Sequence, residues 1–464
     1  MNRFLVLAFF LFNAFHLNAQ RLMVHENGRY LVTEDGEPFF WLADTAWELF
    51  HRCDREEATT YLEKRASQGF NVVQAVALAE IDGLNTPNPY GNKPLLNNDP
   101  NKPNDAYFEH VDFIISKADE LGIYIALLPT WGDKVNTKSW GVGPVVFNPD
   151  NARAFGEWMG DRYQDYDNIV WVIGGDRNPR ENSDDVAIWN SMAEGIAATA
   201  GGYDNTLMTF HPQPTEEGEG GSSTWFHNEE WLDFNMHQTG HCANKGTYKH
   251  IEHDYALSPT KPVLDGEPLY ENHPHCFNAK ERGYSTHDDI RRTMYWNVFA
   301  GAFGQTYGCH AVWQMWKPER EPINQPLGPW SASLDLPMAN QVKHLKNLML
   351  SRPFLTRVPD QAMVVGTQTD YTEYASATRD EGGRYAMIYL PHGSSRFLDL
   401  TALSGEKLST WWYDPRTGNS FPGEELEKAG RVEIEAPTSG KAHDWVLVID
   451  SEEYDAPGTT SSDQ

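Results

Sequence analysis

The 464-residue chain carries a formal net charge of −29, is 40% hydrophobic and holds 16 tryptophans. That length accommodates one large domain and a smaller one. The negative charge argues against nucleic acid or an anionic membrane as a partner, and the aromatic content suits a protein that stacks sugar rings.

Residues 1–19 have a basic start at Arg3, an apolar run from Phe4 to Phe12 and small residues at Leu17-Asn18-Ala19. This pattern predicts a secretory signal peptide, and so a secreted or periplasmic protein. No cysteine follows the apolar run, so a lipid anchor is not expected. No later stretch reaches about 18 consecutive apolar residues, so membrane insertion is not expected either. Cys53, Cys242, Cys276 and Cys309 could pair in an oxidising compartment, in a pattern the sequence leaves open.

Residues 20–352 read as a (β/α)₈ TIM barrel behind an N-terminal hairpin. Asn27-Gly28 and Asp35-Gly36 supply the hairpin turns. Phe39 to Asp44 is the first expected strand, followed by a helix that Asp54 caps, with Glu57 completing a capping box. Phe70 to Ala77 is the second, and a long Pro-, Asn- and Gly-rich loop runs from Glu80 to Asn104. The third spans Ile123 to Leu128, and Asp150 is expected to cap the next helix. The fourth, Ile169 to Ile173, is a continuous apolar run ending in Gly174-Gly175-Asp176, as in a strand buried on both faces. Leu207 to His211 is the fifth, Thr215 to Ser223 an exposed loop, and Leu232 to His237 the sixth. Pro262 to Asp265 is the seventh, Thr286 caps a helix, and Ala311 to Trp313 lies on the eighth. Strands alternating with helices in this way favour a barrel over an open sheet.

After Pro353 short alternating strands replace this rhythm, including Tyr385 to Tyr389, Leu408 to Tyr413 and Trp445 to Ile449. Residues 353–452 are expected to form an antiparallel β-sandwich, and 453–464 a disordered tail.

Catalytic groups of such barrels stand at the carboxyl ends of the strands. Asp176 follows strand four and Glu267 follows strand seven, across the mouth from each other. A carboxyl pair there fits glycoside hydrolysis, with retention if the groups are about 5–5.5 Å apart and inversion if a wider gap admits water. Asp176 is expected as acid/base, its pKa raised by burial and by Glu267, the expected nucleophile. Arg177 is a candidate to fix a carboxylate or a sugar acid group. Asp44, Trp47, Gln74, Trp131, His211, His237, Tyr270, Trp313 and Gln314 fall at or past strand ends and are candidate substrate contacts. No metal site is expected: no Cys-x-x-Cys occurs, although His211, His237, His241, His250 and His253 raise the question. With no Gly-rich phosphate loop, no cofactor is expected.

Trp41-Leu-Ala-Asp44-Thr-Ala-Trp47, Ile173-Gly-Gly-Asp176-Arg-Asn178 and Asp265-Gly-Glu267-Pro-Leu-Tyr-Glu271 together resemble the apiosidase-like glycoside hydrolases, family 140. Trp411-Trp-Tyr413-Asp414-Pro-Arg-Thr-Gly418 resembles a domain named for collagen binding, although nothing in residues 354–450 explains such binding. The resemblance implies a barrel with a C-terminal sandwich. It also implies cleavage of apiose from the plant pectin rhamnogalacturonan II, an Asp acid/base matching Asp176 and a Glu nucleophile matching Glu267. Gly175-Asp176 stands where the wider clan of such barrels has Asn-Glu. The expected partner is therefore a plant cell-wall oligosaccharide. The alternatives are a glycosidase for an arabinofuranoside or galactoside linkage, and a non-catalytic carbohydrate- or matrix-binding protein.

Overall fold

The computed structural model describes residues 19–137, 140–243, 245–368 and 371–459. Apart from Ala19, the predicted signal peptide lies outside the described residues. None of the described helices is long and apolar enough to cross a membrane.

A three-stranded antiparallel sheet, Leu22–Val24, Leu31–Thr33 and Pro38–Phe39, includes the expected hairpin. The barrel strands follow: β1 Trp41–Thr45, β2 Val72–Leu78, β3 Tyr124–Thr130, β4 Ile169–Gly174, β5 Met208–His211, β6 Asn235–Gln238, β7 Val263–Glu267 and β8 Gly304–Tyr307. Six of them pair in parallel in the order β8-β1-β2-β3-β4-β5, and β6 pairs in parallel with β7. Backbone bonds from Asp233 N to Met208 O (2.9 Å) and from Phe303 N to Val263 O (3.2 Å) link the two sets. The ring of eight is thus closed, with helices between its strands.

Two strands lie away from their expected places. β6 starts at Asn235, beyond the apolar Leu232. β8 is the polar Gly304-Gln-Thr-Tyr307, whereas Ala311 to Trp313 sits in a one-turn helix, His310–Trp313, above it. Packing explains β8: a Cβ on Gly304 would lie 2.2 Å from Trp41 O, so close pairing with β1 needs glycine. The apolar run after it is buried by loops rather than by a sheet.

Capping follows local chemistry. Asp54 and Glu57 form the expected capping box of helix Arg55–Ser67, and Thr286 with Asp289 that of His287–Phe299. Asp150 is not a cap: Asn148 caps helix Pro149–Tyr163, with Asn151 answering it and Pro149 in the first turn. The loop expected to be exposed from Thr215 to Ser223 is buried at Gly220–Ser222. Ser222 exchanges bonds with Met236 through its backbone N–H and its hydroxyl (both 2.9 Å), and a Cβ on Gly221 would lie 2.3 Å from Met236 O.

The C-terminal unit has two antiparallel sheets. The larger runs Arg357–Pro359, Ser376–Asp380, Tyr385–Leu390, Trp445–Asp450, Lys407–Tyr413, Ser420–Pro422; the smaller joins Val364–Val365, Arg396–Leu398 and Val432–Ile434. Residues 455–459, expected in a disordered tail, follow the sandwich instead: Pro457 is buried and its carbonyl accepts a 2.6 Å bond from Ser420 Oγ. Cys242 and Cys276 form a disulfide, and Cys53 and Cys309 are free and buried.

Candidate active site

The carboxyl ends of the barrel strands surround a cavity of about 740 Å³. Asp176 and Glu267 both face it and are nearly buried, at 3% and 5% exposure.

Backbone geometry aims each of them. Gly174, Gly175 and Asp176 have φ of 91°, 134° and 52°, so the chain turns sharply as β4 ends. A Cβ on Gly174 would lie 2.6 Å from the Phe210 ring, and one on Gly175 would lie 2.9 Å from the Trp131 ring. Only glycine lets this turn approach both neighbours. Asp176, with a side chain in the left-handed region, carries strain of the kind found at functional sites. On β7 the register with β6 shifts between Asp265 and Glu267, a bulge that redirects Glu267. A Cβ on Gly266 would lie 2.5 Å from Met236 Sδ, so glycine leaves room for that side chain against the bulge.

His211 connects the two acids. The Asp176 backbone N–H donates to His211 Nδ1 at 3.2 Å, which makes Nδ1 the acceptor and places the ring proton on Nε2. Nε2 lies 3.1 Å from Glu267 Oε2, within ion-pair reach but poorly aligned for a hydrogen bond. His241 Nε2 holds the other oxygen, Oε1, at 3.2 Å. The His211 ring is 5.3 Å from Trp47 and 5.7 Å from Trp131, and Trp47 Nε1 donates to the Tyr270 hydroxyl at 3.2 Å.

These surroundings drive the two acids apart. Burial would raise Glu267, but the imidazole N–H groups of His211 and His241 beside its two oxygens outweigh it and bring the group to about 2. Asp176 is pushed well above the usual carboxyl range by burial, then by the charge of Glu267 and that of Glu80. Arg177, with Nη1 3.7 Å from Oδ2, and Gln238 pull it only partly back. A neutral acid therefore faces an ionised carboxylate.

Of the candidate contacts, Trp47, Trp131, Tyr270 and Trp313 line the cavity. Arg177 lies behind Asp176, with its guanidinium 5.5 Å from the Trp140 ring centre. Asp44 is not at the site: its Oδ2 accepts 2.6 Å bonds from Tyr61 and Arg65 in a fully buried ion pair. Gln74 is buried and donates to Gly266 O at 2.7 Å, bracing the β7 bulge rather than a ligand. His237 points away, with Nε2 3.0 Å from Asp254 Oδ2. Gln314 is buried in bonds with His310 and Ile323. Among the histidines, His211 and His241 hold Glu267, while His237 and His253 surround Asp254. Among the described residues no His, Cys, Asp and Glu side chains converge as a metal-binding group.

Glu80, Gln238, His241 and His273 also line the cavity and were not among the expected contacts. The end of β6 is the signal that could have found two of them. With β6 ending at Gln238, Gln238 and His241 replace His237 as the residues at the mouth.

Comparison with known proteins completes this geometry. Residues 25–356 match the family described as "Apiosidase-like, catalytic domain". The chain belongs to the apiosidase-like glycoside hydrolases. Residues 358–450 match a second family, described as "Putative collagen-binding domain of a collagenase". A crystal structure described as a glycoside hydrolase family 5 protein from Bacteroides vulgatus ATCC 8482 is 33% identical, with a TM-score of 0.84 over 93% of both chains. Another solved structure, described only as a glycoside hydrolase, is 34% identical, with a TM-score of 0.84 over 94% of this chain and 98% of the other. No curated protein matches the chain. A glycoside hydrolase takes a carbohydrate substrate.

Proposed function

We propose that this apiosidase-like hydrolase cleaves apiosyl linkages in the plant pectin rhamnogalacturonan II, with Asp176 as acid/base and Glu267 as nucleophile. The observation that carries the assignment of roles is the opposite displacement of the two carboxyls within one cavity. In the first step a Glu267 oxygen bonds to the anomeric carbon as the glycosidic C–O bond breaks. The Asp176 proton passes to the leaving oxygen. Esterification removes the Glu267 charge, one of the causes of the raised Asp176 pKa, so Asp176 becomes a competent base. It then takes a proton from water, whose oxygen displaces Glu267 from the anomeric carbon. Two inversions give net retention. Trp47, Trp131 and Trp313 supply stacking walls for the sugar. The basic and apolar segment before Ala19 supports export, so the protein acts in the periplasm or outside the cell on pectin fragments.

The test is incubation with side-chain oligosaccharides of rhamnogalacturonan II and mass spectrometry for apiose-terminated products. Proton NMR of the first-formed anomer reports the stereochemistry. Products from the native protein that are absent with Asp176→Asn and Glu267→Gln are the expected result. An inverted first product would overturn the nucleophile role, and absence of product from intact and trimmed chains would overturn the apiosyl substrate.

A further inference from the structure

We infer that Glu80 is a third carboxyl of the active site and contacts substrate by binding ring hydroxyls of the sugar whose glycosidic bond is cut. The inference rests on the glycosidase reading above but not on apiose as the sugar.

Glu80 stands two residues past the end of β2 and lines the same cavity as Asp176 and Glu267. The chain on either side of it is anchored by buried charge. Lys134 Nζ, itself paired with Asp133 Oδ1 at 2.7 Å, donates to Ala79 O at 2.6 Å. Glu48 Oε1 accepts from Ile81 N at 2.9 Å, while its Oε2 is held by His51 at 2.7 Å. Glu48, Asp133 and Lys134 are all fully buried. Ala79 also packs under Gly83, where a Cβ would lie 2.6 Å from Ala79 O. Both neighbours of Glu80 are therefore fixed, yet its own carboxyl makes no protein hydrogen bond among the described residues. A polar group so rigidly presented and left without a protein partner is one kept for a ligand.

The surrounding charges define what the ligand is. The carboxylates of Asp133 and Glu48 and the carboxyl of Asp176 lie near Glu80, with Arg177 and Lys134 as the nearby cations. An anionic ligand group is disfavoured there. A divalent cation would need several converging ligands, and no such group forms among the described residues. Burial, then the charges of Asp133 and Glu48, pushes Glu80 up to about 8 against the pull of Arg177 and Lys134, so near neutrality it is largely a neutral acid. A neutral carboxyl offers one donor and one acceptor, the complement of a sugar hydroxyl.

The test compares native protein with Glu80→Ala and Glu80→Gln in two measurements. The first is turnover of rhamnogalacturonan II side-chain oligosaccharides at neutral pH. Glu80→Ala is expected to lose roughly ten- to a hundredfold in kcat/KM, mostly as raised KM, and Glu80→Gln to recover a large part because an amide also donates and accepts. The second is thermal unfolding without substrate. Removing a half-buried carboxyl that has no protein hydrogen bond should leave Tm unchanged or raise it. Unchanged kcat/KM in Glu80→Ala overturns the inference, as does a fall in Tm in both variants, which would make Glu80 a brace. If the native protein itself fails on these oligosaccharides, the apiosyl reading falls. A fall in Tm in both variants would then still overturn the role given to Glu80.

Discussion

Buried charge is handled in opposite ways at the mouth of the barrel and at its seam with the sandwich. At the seam, Arg291 grips Asp444 with two bonds of 2.7 Å, and Arg352 grips Asp450 with bonds of 2.9 and 2.7 Å. These are matched forks, fully desolvated, and Tyr389 adds a bond to Asp444 at 3.2 Å. At the mouth, Asp176 has no such partner. Arg177 stands 3.7 Å off, the carboxyls of Glu267 and Glu80 lie near Asp176, and its Oδ1 has no hydrogen bond. Pairing spends a charge on the fold, whereas leaving it unpaired keeps its protonation adjustable. The difference separates structural carboxyls from candidate catalytic ones better than burial does.

The comparison breaks most sharply at Glu267. Glu267→Gln should lower turnover on the order of 10⁴-fold or more while circular dichroism stays native, because a nucleophile has no substitute in the site. Retained activity would return Glu267 to the structural class. The opposite substitution tests the seam. Asp444→Ala should cost about 3–5 kcal/mol in denaturant unfolding, because it strands the Arg291 guanidinium in a buried site, and kcat of the folded fraction should not move. A loss of kcat at full folding would mean that the seam also positions the mouth.

The sequence carried the barrel through its apolar strands and failed where a strand is polar or a polar group is internal. Ile169 to Ile173 announces itself as a doubly buried strand, and the glycines after it announce a turn. Gly304 to Tyr307 carries no such run, because its place in the sheet is fixed by backbone proximity to Trp41. Asp176 and Glu267 were legible because each follows a glycine at a strand end. Asp44 has the same strand-end position, yet Arg65, 21 residues on, claims it in a buried pair. His241 and Glu80 were not legible as contacts, since each lies in a loop whose course depends on long-range anchors. For Glu80 these are Lys134 and Glu48.

A finer test concerns how Glu267 is kept ionised. His241→Phe removes the contact at Oε1 and leaves burial, which acts in the opposite direction. The Glu267 pKa should then rise from about 2, and the acid limb of kcat/KM should move to higher pH. Loss of one charge-assisted bond should also cost about ten- to a hundredfold in kcat/KM near neutrality. A variant that loses stability without moving the acid limb would show that His241 only packs.

The smallest effect is in the pH dependence of stability, where the two acids should have opposite signs. Asp176 holds its proton in the fold more tightly than in the unfolded chain. Its neutral form therefore favours the fold below the ordinary carboxyl value, and that contribution is lost as pH rises through the folded value. Glu267 is displaced downward, so its contribution is present above about 4.5 and is lost as pH falls toward 2. Asp176→Asn should match the native Tm in acid and exceed it at higher pH, by roughly 2–4 °C for each kcal/mol relieved. Glu267→Gln should show its deficit near neutrality and lose it in acid. Parallel Tm curves for native protein and Asp176→Asn would mean that Asp176 is already ionised in the fold. The mouth would then be as fully compensated as the seam, and the proton assigned to the leaving group would have to come from elsewhere.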